Sequence, residues 1–158
     1  MKKIICSIAV LFITTLLVFA DEKQDALSFF NSYVNAANTY SATVADMYSP
    51  SAKIIRQVVK PDGTTVDVET NTATYIKQMK IGQAGAKLRH YKNTYTNITV
   101  SALNNGSFKI SADRQPSGET YKLKTYMIVK QQPDGKWLIT EEMMQTKVQT
   151  FLRYADKK

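Results

Sequence analysis

The sequence predicts one α+β domain behind a short N-terminal leader. Helical spacing is confined to the first half of the chain. The second half is a succession of strand patterns joined by turn residues, and no alternation of strand and helix suggests a βαβ unit. The chain has 158 residues, 44% apolar and 22% charged. That is the composition of a single globular domain, not of a disordered chain, a collagen or a coiled coil.

The leader comes first. Lys2 and Lys3 precede an apolar run over 4–19, broken only by Ser7, Thr14 and Thr15. Val18 and Ala20 place compact residues before a cut ahead of Asp21, where the chain turns abruptly polar. This is the pattern of a secretory signal peptide over 1–20, and the run is shorter than a spanning helix needs. Cys6 lies near the start of the run, so it is not the lipid-modified cysteine of a lipoprotein. Removing 20 residues from 158 leaves 138, over 21–158. Losing Lys2 and Lys3 lowers the net charge from +8 to +6 and leaves no cysteine. An exported domain without disulfides is held by its core, which is feasible at this size. The expected location is periplasmic or secreted, with no stable membrane anchor after cleavage.

The mature chain then reads element by element. Over 25–40, Ala26, Phe29, Phe30, Tyr33, Val34, Ala37 and Tyr40 recur at helical spacing, with acidic residues near the start. A short helix over 41–47 ends at Ser49-Pro50-Ser51. Ile54-Ile55 and Val58-Val59 mark a strand over 54–59. Pro61-Asp62-Gly63 turns it, and Thr64, Val66 and Val68 alternate on the return strand. Asn71 or Thr72 caps a third helix through Tyr75, Ile76 and Met79, which Gly82 and Gly85 are expected to end. Strands follow over 88–103, 108–112, 121–129 and 136–147. Their turns are Asn104-Asn105-Gly106, Gln115-Pro116-Ser117-Gly118 and Gln132-Pro133-Asp134-Gly135. Residues 148–154 form a short tail helix or a free end.

Charge and motifs exclude several function classes. Lys and Arg are scattered, with no basic arm, so no nucleic-acid partner is expected; the excess charge reads as solubility or attraction to anionic surfaces. One His and one Cys cannot build the usual zinc site, so no metal is expected. Gly82 and Gly85 lack the flanking strand and Lys of a phosphate loop, no nucleophile elbow is present, and no cofactor is expected.

Three motifs bear on the family. They are Tyr33-Val34-Asn35-Ala36-Ala37 on the first helix, Ala45-Asp46-Met47-Tyr48-Ser49-Pro50-Ser51-Ala52 before the first strand, and Pro133-Asp134-Gly135-Lys136-Trp137-Leu138-Ile139 at the final hairpin. In this order they resemble the nuclear transport factor 2-like superfamily, with its SnoaL-like and ketosteroid-isomerase-like members; the leader would make this an exported bacterial one. The resemblance implies a cystatin-like cone, in which a curved antiparallel sheet wraps about three N-terminal helices around a pocket. It implies no single function, because members include isomerases, dehydratases, cyclases and binding or dimerisation modules.

The resemblance also places candidate residues. Tyr33 matches the oxyanion-donor tyrosine of ketosteroid isomerases. Their carboxylate base falls on Arg56, or on Gln57 if the strand slips by one, and neither serves as a base at neutral pH. Their second donor falls on Thr125. Proton transfer by that route is not expected. Arg56 instead offers a fork for a carboxylate or phosphate if it faces inward, which the strand's apolar residues on both faces leave open. Glu141 shares strand parity with Trp137 and Ile139 and is expected to face the pocket, where it would pair with Arg56 or act as an acid or base. His90 is the one histidine and the other acid–base candidate. Abundant Tyr and Met suit an amphipathic pocket as well as ordinary packing. The expected ligand site is Tyr33, Tyr48, Arg56, His90, Thr125 and Glu141. The reading is a non-catalytic module for a small amphipathic or anionic ligand. The alternatives are an isomerase or dehydratase using His90 or Glu141, or a homodimeric interaction module pairing through an outer sheet face at Tyr126, Ile128 and Leu138.

Overall fold

The computed structural model describes residues 5–155, with side chains from Asp21 onward. The expected leader falls on residues 1–4 and on side chains outside that range. Helix α1 (Ile5–Asn38) runs through the expected cut. A 3₁₀ turn (Ala42–Met47) follows, then β1 (Tyr48–Val59), β2 (Thr65–Asn71) and α2 (Thr72–Leu88). Strands β3 (Asn93–Ala102), β4 (Ser107–Pro116), β5 (Leu123–Gln131) and β6 (Trp137–Thr146) complete the sheet before a terminal 3₁₀ turn (Gln149–Tyr154). The architecture is α+β, as expected.

The six strands form one sheet in the order β2-β1-β6-β5-β4-β3. It is mixed rather than wholly antiparallel, because β1 and β6 pair in parallel. That pair closes the first hairpin onto the last strand and brings residues far apart in sequence to one place. The turns behave as their residues dictate. At Pro61-Asp62-Gly63 the Gly63 φ of 83° is the left-handed region that suits glycine, and Asp62 accepts from the Thr64 N–H at 2.9 Å.

One sheet face is the core. On β4, Phe108, Ile110, Ala112 and Arg114 are buried in alternation; across the ladder stand Val129, Met127, Thr125 and Leu123 of β5. Ala26, Phe30 and Tyr33 of α1 cover this face, and Phe30 meets Tyr95 edge-on at 5.4 Å.

Helix α2 departs from expectation. Asn71 caps it, accepting from the Thr74 N–H at 2.8 Å. Yet it passes Gly82 and Gly85 and ends at Leu88. A mid-helix glycine costs only about 1 kcal/mol, less than unfolding the last turns. The third strand therefore starts at Asn93, and His90 lies in the connection at a φ of 51° instead of on a strand. Of α2, only Thr72 is buried. Its inner side packs Tyr75 and Met79 against the core and also borders a cavity.

Candidate functional site

A network of polar side chains is buried where β1, β6, α1 and α2 meet. Tyr33 comes from α1, Tyr48 and Arg56 from β1, Tyr75 from α2 and Glu142 from β6. The parallel register sets Ile54 against Glu142 and Arg56 against Met144, so Arg56 and Glu142 lie diagonally on the inner face. Glu142 is fully buried. Its Oε1 accepts from Arg56 Nη1 at 2.8 Å. Its Oε2 accepts a very short hydrogen bond from the Tyr48 hydroxyl, and Tyr33 donates to the same oxygen at 3.3 Å. The Tyr48 oxygen also lies 3.2 Å from that of Tyr33 and 3.5 Å from that of Tyr75. Tyr48 has one proton and it goes to Glu142; Tyr33 likewise spends its proton on Glu142, so of the neighbouring hydroxyls Tyr75 is the one left to donate to the Tyr48 oxygen. The Arg56 guanidinium also stacks over Tyr75, 4.7 Å from the ring centre.

Electrostatics follow from this arrangement. Burial, then the Glu142 charge, pushes the hydroxyls of Tyr33, Tyr48 and Tyr75 above the ordinary tyrosine value. Burial works against the Arg56 cation, but Tyr75 and Glu142 outweigh it and hold the proton more firmly than usual. Glu142 is thus the partner of a cation with both oxygens engaged. It is not a free base.

Beside this network lies a cavity of about 360 Å³. Tyr33, Arg56, Tyr75, Tyr95, Arg114 and Met144 are among its walls. A second cavity, of about 470 Å³, lies between α2 and β2 and shares Arg56, Tyr75, Met79 and Phe151 with the first. Phe151 is carried by the terminal 3₁₀ turn, which Gln149 ties to the Val59 carbonyl at 2.9 Å. The tail is therefore a wall of the site.

The expected site residues separate into two groups. Tyr33 and Arg56 line the first cavity, and Tyr48 anchors the network behind it. Arg56 faces inward with Ile54 and Val58; Gln57 faces outward, donating to Asp67 at 2.8 Å. Thr125 is an inward residue whose hydroxyl donates to the Met143 carbonyl at 2.8 Å, so it is satisfied away from the cavity. His90 is exposed at the end of α2 and is no pocket residue. Glu141 is corrected as well: it lies on the outer face and accepts from the Tyr126 hydroxyl at 2.6 Å. The cause is a β-bulge. Ile139 pairs with Val129 and Glu141 with Ile128, which leaves Thr140 without an opposite residue. Parity inverts there, and Glu142 takes the inward place expected of Glu141. The acid–base pair of the enzyme alternative, His90 or Glu141 beside Tyr33, is not assembled.

On the outer face Tyr126, Ile128 and Leu138 are half-buried, and Lys109 covers the Tyr126 ring at 4.0 Å. The sequence reading missed Glu142, Tyr75 and Arg114. A signal existed for Arg114, since it extends the Phe108, Ile110, Ala112 alternation. The bulge that turns Glu142 inward has no such mark.

No family model matches the chain, and no curated protein matches it. Solved structures do. A domain with a cystatin-like fold from Nostoc punctiforme aligns with a TM-score of 0.54 at 15% identity, over 83% of this chain and 83% of its own. ActVI-ORFA from Streptomyces coelicolor aligns at 0.52 and 11% identity, over 75% of this chain and 92% of its own. A chain of the yeast complex of the deubiquitinase Ubp3 with its cofactor Bre5 aligns at 0.57 and 20% identity, over 77% and 93%. At such identities the likeness is one of fold, and the fold is cystatin-like.

Proposed function

We propose that the chain is an exported cone-fold module that holds a small amphipathic or anionic molecule without transforming it. One observation carries this reading. Glu142, the carboxylate that pairs with the cavity-lining Arg56, is sealed from solvent with both oxygens occupied by Arg56, Tyr48 and Tyr33. A general base must reach its proton, and this one is already engaged. The cavity walls instead combine aromatic rings, methionines and two guanidiniums, which suits recognition. Export rests on the leader pattern over 1–20.

Native mass spectrometry of the protein purified from its own export compartment tests both parts. The expected spectrum shows a chain beginning at Asp21, carrying a small molecule lost on denaturation. A full-length chain there would overturn cleavage before Asp21, and absence of the protein from that compartment would overturn export. An empty dimer would overturn the ligand module in favour of the interaction module.

A further inference from the structure

Two guanidiniums line the first cavity, and their surroundings differ. Arg56 has Glu142 as its counter-ion. Arg114 is only 6% exposed, and among the described residues it has no carboxylate within ion-pair distance. Its acceptors are neutral: Asn93 Oδ1 at 2.8 Å and the Gln145 carbonyl at 2.7 Å. Its buried Nε has no partner. Two of the five N–H groups of the fork are therefore used, and a full positive charge is held out of water without an opposite charge. Buried cations are ordinarily paired, because neutral acceptors do not replace the lost hydration.

We infer that Arg114 is the anchor of this cavity for the carboxylate of a small, flat, singly charged organic acid. This rests on the reading of the cavity as a ligand site and names the ligand class. The charge count selects a monoanion. Arg56 and Glu142 cancel, leaving one positive charge on the wall, and β5 lies between Glu142's strand and Arg114's. A doubly charged phosphate ester would leave a negative charge beside tyrosine rings and methionines. The planar fork suits two carboxylate oxygens. The body of the acid is set by the neighbours: Tyr95 stands opposite Arg114 in the ladder, and Tyr40, Tyr91 and Met79 continue the wall. Rings and thioether present flat, polarisable faces suited to an aromatic or unsaturated body.

The test uses the folded chain with naphthoate and its neutral analogue naphthamide, read by calorimetry. Naphthoate is expected to bind more tightly by about ten- to a hundredfold, the range of hydrogen bonds to a charged group. Arg114→Gln should remove that preference, so that naphthoate binds no more tightly than naphthamide. Arg114→Lys, which keeps the charge and loses the fork, should retain part of it. Ala86→Trp, which fills the cavity from α2, should abolish binding of both. If the two compounds bind wild type equally, the anchor is overturned and the ligand site stands. If neither binds, the ligand site falls and the anchor with it. Because the first comparison is made on wild type, it holds even if the Arg114 variants fail to fold.

Discussion

Replacing Arg56 with Met is expected to destabilise the fold by about 3–5 kcal/mol, the cost of leaving one member of a buried ion pair alone. Glu142 is fully buried, so loss of the guanidinium leaves its charge without a partner in the protein interior. Methionine keeps much of the packing against Tyr75, which separates loss of charge from loss of volume. Denaturant unfolding measures the change as a lower midpoint at unaltered slope. The double variant Arg56→Met/Glu142→Leu should recover only part of the loss, since it removes the uncompensated charge but leaves the buried Tyr48 and Tyr33 hydroxyls without their acceptor. A single variant costing under about 1 kcal/mol would place the pair among screened surface bridges and overturn its description as a buried network.

The same network predicts the alkaline limit of the fold. Burial foremost, then Glu142, raises the tyrosine hydroxyls at positions 33, 48 and 75. In the unfolded chain these groups ionise near the ordinary value of about 10. Above that pH the native state binds more protons than the unfolded state, so stability falls as pH rises. Below it, both states hold the protons and the contribution is complete. Each hydroxyl that stays protonated in the native state steepens this fall by up to about 1.4 kcal/mol per pH unit. With a typical stability of about 5–15 kcal/mol, the fold should therefore weaken steeply above pH 10. The buried rings should ionise only together with unfolding. A single smooth titration of all tyrosines in a protein that stays folded would contradict the network. Tyr75→Phe should reduce the pH slope by one proton.

Much of the architecture is legible in the residues. The stripe of Ala26, Phe30 and Tyr33 specifies which side of α1 is buried. Pro61-Asp62-Gly63 and Asn104-Asn105-Gly106 specify where hairpins turn, because few residues tolerate those backbone angles. These signals are local, so they survive without knowledge of the rest of the chain. Gly82 and Gly85 misled for the opposite reason. Their helix-breaking tendency is weak, and the neighbouring turns of α2 and the contacts they make override it.

The site was less legible than the fold. Arg56 sits on a strand whose two faces are equally apolar, so alternation could not choose its direction. Pairing with β6 chose it. Glu141 and Glu142 were separable only by knowing that Thr140 is left out of the ladder. That depends on how β1, β5 and β6 fit together.

By itself, then, the sequence determined the α+β class, the hairpins, the capped helix and the apolar stripe of α1 at Ala26, Phe30 and Tyr33, because periodicity and turn chemistry act over a few residues. Only the tertiary structure decided which carboxylate is buried, which guanidinium is paired and which is left without a counter-ion. Those outcomes depend on strand register and on residues as far apart as Arg56 and Glu142, where a shift of one position exchanges the inside of the cone for the outside.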